Sequence, residues 1–317
     1  MNEIELKIKN SHNILIISHR RPDSDAIGSS LAIFFYLKSL GKNPTLFNIG
    51  PIPAYFDFLP SISDVCSDEK ILDHKFDLVI ALDLASMDHS GIDDKLFKDN
   101  YVINIDHHIS NNLFGDINLI DDRASSTCEI VYKFLIEVKS EITKNIATCL
   151  LCGILGDTGS FSNSATNANS IIIASQLIGR GAKIHKIDDQ VNKNKSINGL
   201  RLWGKVLSRI RSDDNSEIAY TYIKEEEYRE HQIEEEELDG LTNFLNVIYD
   251  TKFVALFRIG PNFTRVGLRT IRNDIDLSAI AKVNGGGGHK KAAGFTLPHT
   301  LDEKSCDFIS YLKNDIV

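Results

Sequence analysis

The sequence predicts an α/β protein: a doubly wound, mainly parallel sheet in residues 1–185, a helical linker over 186–214, and a smaller α+β domain in 215–317. Three observations carry this. Short Ile/Leu/Val runs of the kind buried on both faces of a parallel sheet recur in the first third of the chain, each followed by a helix-compatible stretch. After about residue 215 the pattern changes to half-exposed alternation with a hairpin signal at Gly260-Pro-Asn. At 317 residues the chain also exceeds one ordinary core, which favours two domains.

The first strand run is Ile14-Leu-Ile-Ile-Ser-His19, ending in Arg-Arg-Pro-Asp23-Ser-Asp25. Ala26 to Leu40 is helical in pattern, with Gly41 placed to terminate it. The second run is Asp77-Leu-Val-Ile-Ala-Leu-Asp83 and the third Tyr101-Val-Ile-Asn-Ile-Asp106-His107-His108. In a parallel sheet these carboxyl ends line one rim, where ligands bind. Helices are expected over Ser125–Val138, Ile142–Leu155 and Asn169–Ile178, with a break at Gly179-Arg-Gly181 and connecting helices over about 182–211. An apolar run from Leu150 also ends in an acid, at Gly156-Asp157-Thr-Gly. In the second domain, expected to begin near Asn215, strands are read over Glu217–Ile223, Lys252–Gly260 and Thr264–Ile271, with helices over Leu238–Tyr249 and Leu277–Val283. The Glu-rich stretch Lys224–Glu237 reads as the solvated face of a helix.

Composition narrows the function classes. A formal net charge of −9 argues against a broad basic face for long duplex nucleic acid, while leaving room for a short nucleotide in a local positive site. No apolar run approaches the ~20 residues needed to span a bilayer. Met-Asn-Glu-Ile-Glu-Leu-Lys mixes charges where a secretory signal is apolar, so no membrane partner and a cytoplasmic location are expected. Five scattered cysteines do not form a disulfide framework, and Cys149-Leu-Leu-Cys152 reads as core thiols.

One run ending in His19, Asp23 and Asp25 has a plain alternative, a turn with Asp25 as helix cap. Four runs converging acids and histidines do not. Nitrogen and carboxylate donors without thiolate suit a divalent metal such as Mn²⁺.

Taken together, His19-x-x-Pro-Asp23-x-Asp25, Asp83, Asp106-His107-His108 and Gly156-Asp157-Thr-Gly resemble the motifs of the DHH phosphoesterase superfamily. Gly285-Gly-Gly-Gly-His289-Lys-Lys-Ala-Ala-Gly294 resembles the glycine-rich motif of its accessory DHHA1 domain. The likeness extends along nearly the whole chain and is greatest to stand-alone nano-RNases and 3′-phosphoadenosine 5′-phosphate (pAp) phosphatases. Two departures are Ser24, where many members have Gly, and Asp122, where many have Pro.

The resemblance implies two divalent ions, most simply Mn²⁺, that activate a hydroxide for attack on phosphorus. His19 and Asp23 would hold one ion and Asp25, His107 and Asp157 the other, with Asp83 bridging. Asp106 would orient His107 from behind, direct ligation being the alternative. His108 would face the scissile phosphate, stabilising charge or protonating the leaving oxygen. Arg269, Gly286, Gly287, Gly288, His289 and Lys290 would grip a non-scissile phosphate. Phe161 and Ser125–Thr127 lie beside the metal motifs as contacts for base or ribose. The activity implied is hydrolysis of short oligoribonucleotides to 5′-mononucleotides, of pAp to AMP, or both. A phosphodiesterase for cyclic or linear dinucleotides (c-di-AMP or pApA) is the alternative enzyme. The intact ligand set argues against a non-catalytic nucleotide sensor. Partners are then a short oligonucleotide or small nucleotide, with homodimer formation left open.

Overall fold

A computed structural model describes residues 3–193, 195–213, 217–238 and 240–301. The chain divides into two compact units, Met1–Lys193 and Asn194–Val317. The expected start of the second domain near Asn215 lies outside the described residues, as does Cys306.

The first unit is built on β1 (Ile14–Ile17), β2 (Thr45–Phe47), β3 (Val65–Cys66), β4 (Leu78–Leu82), β5 (Val102–Asp106) and β6 (Ile117–Ile120). They form one sheet in the order β3-β2-β1-β4-β5-β6, and every neighbouring pair is parallel. The order reverses direction between β1 and β4, so the crevice beyond their carboxyl ends is the topological switch point of this sheet. The helices are α1 (Glu3–Asn10), α2 (Ser24–Ser39), α3 (Lys95–Lys98), α4 (Thr127–Glu137), α5 (Lys144–Asp157), α6 (Ala168–Gly179) and α7 (Ile184–Val191). Alternation along β1 and β4 sends Ile14, Ile16, Leu78, Ile80 and Leu82 into the main core with α2, α4 and α5. Leu15, Ile17, Val79 and Ala81 go to a thinner core on the other face. Burial on both faces explains why these strands read as unbroken apolar runs.

Helix α2 is wrapped almost completely: Ser24 to Phe34 are all buried. It can approach α5 closely because Gly28 and Gly153 stand at the crossing. A Cβ on Gly28 would collide with the Cys149 carbonyl, and one on Gly153 with Cys128 Sγ. Cys149 and Cys152 are buried thiols inside α5, and burial pushes both pKa values up.

The second unit carries β7 (Arg211–Asp213), β8 (Ile218–Lys224), β9 (Phe253–Ile259), β10 (Thr264–Arg269), β11 (Gly287–His289) and β12 (Ala292–Leu297) in the order β11-β12-β10-β9-β8-β7. Only the β8–β9 pair among these is parallel; β9 and β10 form the expected hairpin. Helices α8 (Ile197–Leu207), α9 (Glu225–His231), α10 (Leu241–Leu245) and α11 (Leu277–Val283) belong to the same unit.

Two expectations change here. The Glu-rich stretch is not one solvated helix face. After α9 the chain turns, with Gln232 left-handed, and Glu235–Leu238 form a separate 3-10 turn. Glu227 is buried, bonded to Arg209 Nη1 (2.8 Å) and paired with Lys205 (2.6 Å). The glycine-rich segment is also not an open loop: Gly287–His289 pair with Ala292–Gly294 as the edge strand β11. Ahead of it, Gly285 and Gly286 donate their amides to the Lys282 (3.1 Å) and Ala281 (2.8 Å) carbonyls, terminating α11. Among the described residues no helix is long and apolar enough to cross a membrane.

Candidate metal centre

The site lies at the switch point of the first sheet. His19 follows β1; its Nδ1–H donates to the Arg20 carbonyl (2.9 Å), which leaves the Nε2 lone pair for a ligand. Nε2 lies 3.8 Å from Asp23 Oδ1 and 3.5 Å from Asp83 Oδ2. Asp23, not Asp25, caps α2, with Oδ1 accepting from the amides of Asp25 (2.9 Å) and Ala26 (3.1 Å). Asp25 is fully buried one residue into the helix, and its carboxylate is held by the first amides of α4. Thr127 N donates to Oδ2 (2.6 Å) and Cys128 N to Oδ1 (2.9 Å).

Asp83 follows β4 in a left-handed conformation, φ +54°, which Asp tolerates better than most side chains. Its two oxygens face opposite ways. Oδ2 looks toward His19, while Oδ1 lies 3.7 Å from His107 Nε2 and accepts from Thr127 Oγ1 at 3.1 Å. His107 Nε2 is also 3.1 Å from Asp157 Oδ2 and 4.0 Å from Asp25 Oδ2. Asp157 arrives from the last residue of α5, a helix rather than a strand end.

Ligand atoms of His19, Asp23 and Asp83 form one group within 4.8 Å of one another, and those of Asp25, His107 and Asp157 a second. Asp83, Asp106 and His108 form a third group of the same kind.

Charge crowding gives these groups their character. Burial, together with the Asp157 and Asp83 charges, pushes the Asp25 carboxyl well above its ordinary range. Burial carries Asp157 up to about 6 despite its bond to His107. Burial alone would lower His19 and His107, but bonds to Asp23 and Asp83, and to Asp157, raise both well above the usual imidazole value. Asp25 and Asp157 thus resist ionisation beside His19 and His107, which hold protons. Burial would raise Asp23 too, but the bond to His19 lowers its carboxyl. Bound cations would relieve this crowding. Two imidazole nitrogens with four carboxylates and no sulfur fit hard or borderline divalent ions.

Asp106, at the end of β5, is fully buried. Its Oδ1 accepts from the His107 amide (2.8 Å) and pairs with His108 Nδ1 (2.7 Å). Asp106 therefore touches the His108 ring directly and His107 through its backbone, which corrects the expectation that it orients the His107 ring. Burial would raise its carboxyl, but the bond to His108 outweighs this and holds it at about 2. The same bond more than offsets burial at His108 and raises that imidazole.

Ser125–Thr127, read as contacts for base or ribose, serve the framework instead. Ser125 Oγ donates to Glu129 (2.8 Å), Ser126 Oγ caps α4 (3.1 Å), and Thr127 holds Asp25 and Asp83. Phe161 packs against the main core in a left-handed conformation, φ +66°. The carboxylate-holding role of Thr127 and Cys128 was missed, although the Ser-Ser-Thr cluster marked a helix start with free amides.

In the second unit, Arg269 ends β10, and cross-strand register places it on one face with Ala292 and His289. Its Nε donates to Asn243 Oδ1 (2.5 Å) and Nη1 to the Leu268 carbonyl (2.8 Å). Gly287 keeps open space where a Cβ would stand, whereas a Cβ on Gly286 would strike the Gly294 carbonyl. Gly288 is at φ +132°, and Lys290 is exposed.

Comparison with known proteins agrees with this architecture. Residues 13–154 match the family model described as DHH family, N-terminal domain, and residues 215–316 match the DHHA1 domain. A Thermus thermophilus protein, bifunctional oligoribonuclease and PAP phosphatase NrnA, is 31% identical over 90% of this chain and 84% of its own length. The Bacillus subtilis protein of the same name is 26% identical over 92% of this chain and 90% of its own. A solved structure of an exopolyphosphatase-related protein from Bacteroides fragilis superposes with a TM-score of 0.89 at 25% identity, covering 98% of this chain and 94% of that one. With both domain models matched in order and a relative this similar across most of its length, the chain belongs to the DHH–DHHA1 family of phosphoesterases.

Proposed function

We propose that this protein hydrolyses short oligoribonucleotides to 5′-mononucleotides, and pAp to AMP, with two Mn²⁺ ions at the switch point of its first sheet. The observation that carries this reading is Asp83, whose Oδ2 faces His19 and whose Oδ1 faces His107. One carboxylate addressing two ligand groups is what a paired-metal site requires. His19 and Asp23 would hold one ion, Asp25, His107 and Asp157 the other, and Asp83 both. Bound ions of this kind neutralise phosphate charge and supply a nucleophile near neutral pH.

The chain's own residues do the rest. Asp25 is tied to the α4 amides and Asp83 to Thr127, so the carboxylates keep their places without reorganising. His108, fixed through Nδ1 by Asp106, presents Nε2 as the nitrogen able to donate a proton to the leaving oxygen. In the second unit, the Arg269 guanidinium, with Nε and one Nη1 hydrogen engaged, keeps its outer Nη edge for a terminal phosphate. His289 and Lys290 add to that grip. A phosphate clamp of this kind suits substrates that carry a terminal phosphate, as pAp and short phosphorylated oligonucleotides do.

The test is Mn²⁺-dependent hydrolysis of a 5′-labelled diribonucleotide, with pAp and linear diadenylate in parallel. Mononucleotide release that stops with chelator is the expected outcome. Metal-loaded protein that turns over none of the three overturns the reading.

A further inference from the structure

We propose that Asn111 is a positioning residue for the reaction: it holds the Asp106 carboxylate from the side opposite His108 and so aims the His108 ring at the leaving oxygen. The inference rests on the reading of His108 as the proton donor in the proposed function.

Asn111 returns to Asp106 through a tight turn, its amide donating to the His108 carbonyl at 3.0 Å. Its side-chain amide is oriented without ambiguity. Oδ1 accepts from the Leu113 amide (2.8 Å), so Nδ2 points inward. There Nδ2 meets Asp106 Oδ2 (2.7 Å), Asn104 Oδ1 (2.8 Å) and the Leu84 carbonyl (3.1 Å). Asn104, fully buried in the middle of β5, donates in turn to the Leu84 carbonyl at 3.1 Å. The carbonyl that both asparagines hold belongs to the residue after Asp83, whose own backbone is left-handed. One amide therefore links the turn that presents Asp83 to the carboxylate that presents His108.

Asp106 Oδ1 is occupied by the His107 amide and the His108 ring. Oδ2 depends on Asn111. Without that donor the buried carboxylate would rotate to satisfy Oδ2 elsewhere, and the His108 ring would follow it. Aspartate at position 111 would set a second carboxylate against Asp106. In the reaction, water adds to phosphorus and loses a proton to solvent. The P–O3′ bond breaks with its electron pair on oxygen, and His108 Nε2 gives that oxygen a proton later regained from water.

Two versions of one diribonucleotide separate this role from a merely structural one: the natural 3′-oxygen ester and its 3′-sulfur-bridged counterpart, whose thiolate leaves without needing a proton. Asn111→Ala and Asn111→Ser should lower kcat about 10- to 100-fold on the oxygen ester. On the sulfur ester they should lie within about 3-fold of wild type, with KM and bound Mn²⁺ unchanged on both. His108→Ala should show the same selectivity, more strongly. Equal losses on both esters in the Asn111 variants, or no loss on either, overturn the inference while a selective His108→Ala leaves the proposed function standing. An unselective His108→Ala overturns the role of His108 and the inference with it.

Discussion

Replacing Gly153 by alanine tests whether the tight α2–α5 crossing sets the position of Asp25. The new Cβ would collide with Cys128 Sγ and lie 2.7 Å from Asp25 Oδ1 and 3.0 Å from Asp25 Cα. Neither neighbour yields easily, because Cys128 is fully buried and the Asp25 carboxylate is tied to two α4 amides. Overpacking a core costs about 1–3 kcal/mol, and two anchored collisions belong at the upper end. The gain in helix propensity from Gly to Ala offsets about 1 kcal/mol, leaving a net loss of about 2 kcal/mol. For a unit of this size that lowers Tm by about 4–8 °C. Gly204 in α8 is the control, since a Cβ there meets nothing within 4 Å. Gly204→Ala should stabilise by about 0.5–1 kcal/mol. Differential scanning calorimetry gives both values, and Mn²⁺ titration should show weaker binding only for Gly153→Ala. A Gly153→Ala protein as stable as Gly204→Ala, with wild-type metal affinity, would refute the packing argument.

Three further expectations concern other parts of the molecule. Burial would raise Glu227, but Arg209 and Lys205 hold it down from its ordinary 4.5 to about 2, so its stabilisation is complete above pH 4.5 and is lost as pH falls toward 2. Glu227→Gln should cost about 2 kcal/mol at neutral pH, reduced from a fully buried pair because Lys205 is half-exposed, and should flatten the acid limb of a Tm-against-pH curve. Arg269→Ala should raise KM for pAp with Mn²⁺ content unchanged, and Arg269→Lys should not restore it, because lysine lacks the planar fork; metal loss in either would show the arginine misassigned. Thr127→Val should weaken Mn²⁺ binding about 10-fold by removing the hydroxyl that holds Asp83, and unchanged affinity would show that bond to be idle.

The rim of the first sheet was legible because it obeys local rules. A strand buried on both faces must be apolar throughout, so β1, β4 and β5 announce themselves, and whatever follows them is delivered to one edge. The start of α4 followed from the Ser/Thr cluster that holds its cap Ser126, and the apolar pattern alone placed α11 over its observed span. What stayed hidden depends on contacts distant in sequence. The amides of Thr127 and Cys128 meet a carboxylate about a hundred positions earlier, and no spacing rule relates them. Asp106 selects the His108 ring rather than that of His107 because alternate residues leaving β5 point to opposite faces. Glu227 is buried because α8 brings Lys205 and the adjoining Arg209 to it, a partnership that the surrounding glutamates concealed. At β11 the absence of side chains on its two glycines reads as flexibility, whereas pairing with Ala292–Gly294 makes it an edge strand.

In the proposed function Asp83 would join two cation sites into one centre. Electron paramagnetic resonance during Mn²⁺ titration tests it most directly. Two Mn²⁺ should bind per chain, with a magnetically coupled pair signal in the wild type that disappears in Asp83→Ala along with hydrolysis. A single uncoupled Mn²⁺ at saturation, or a coupled pair that persists without Asp83, would contradict it.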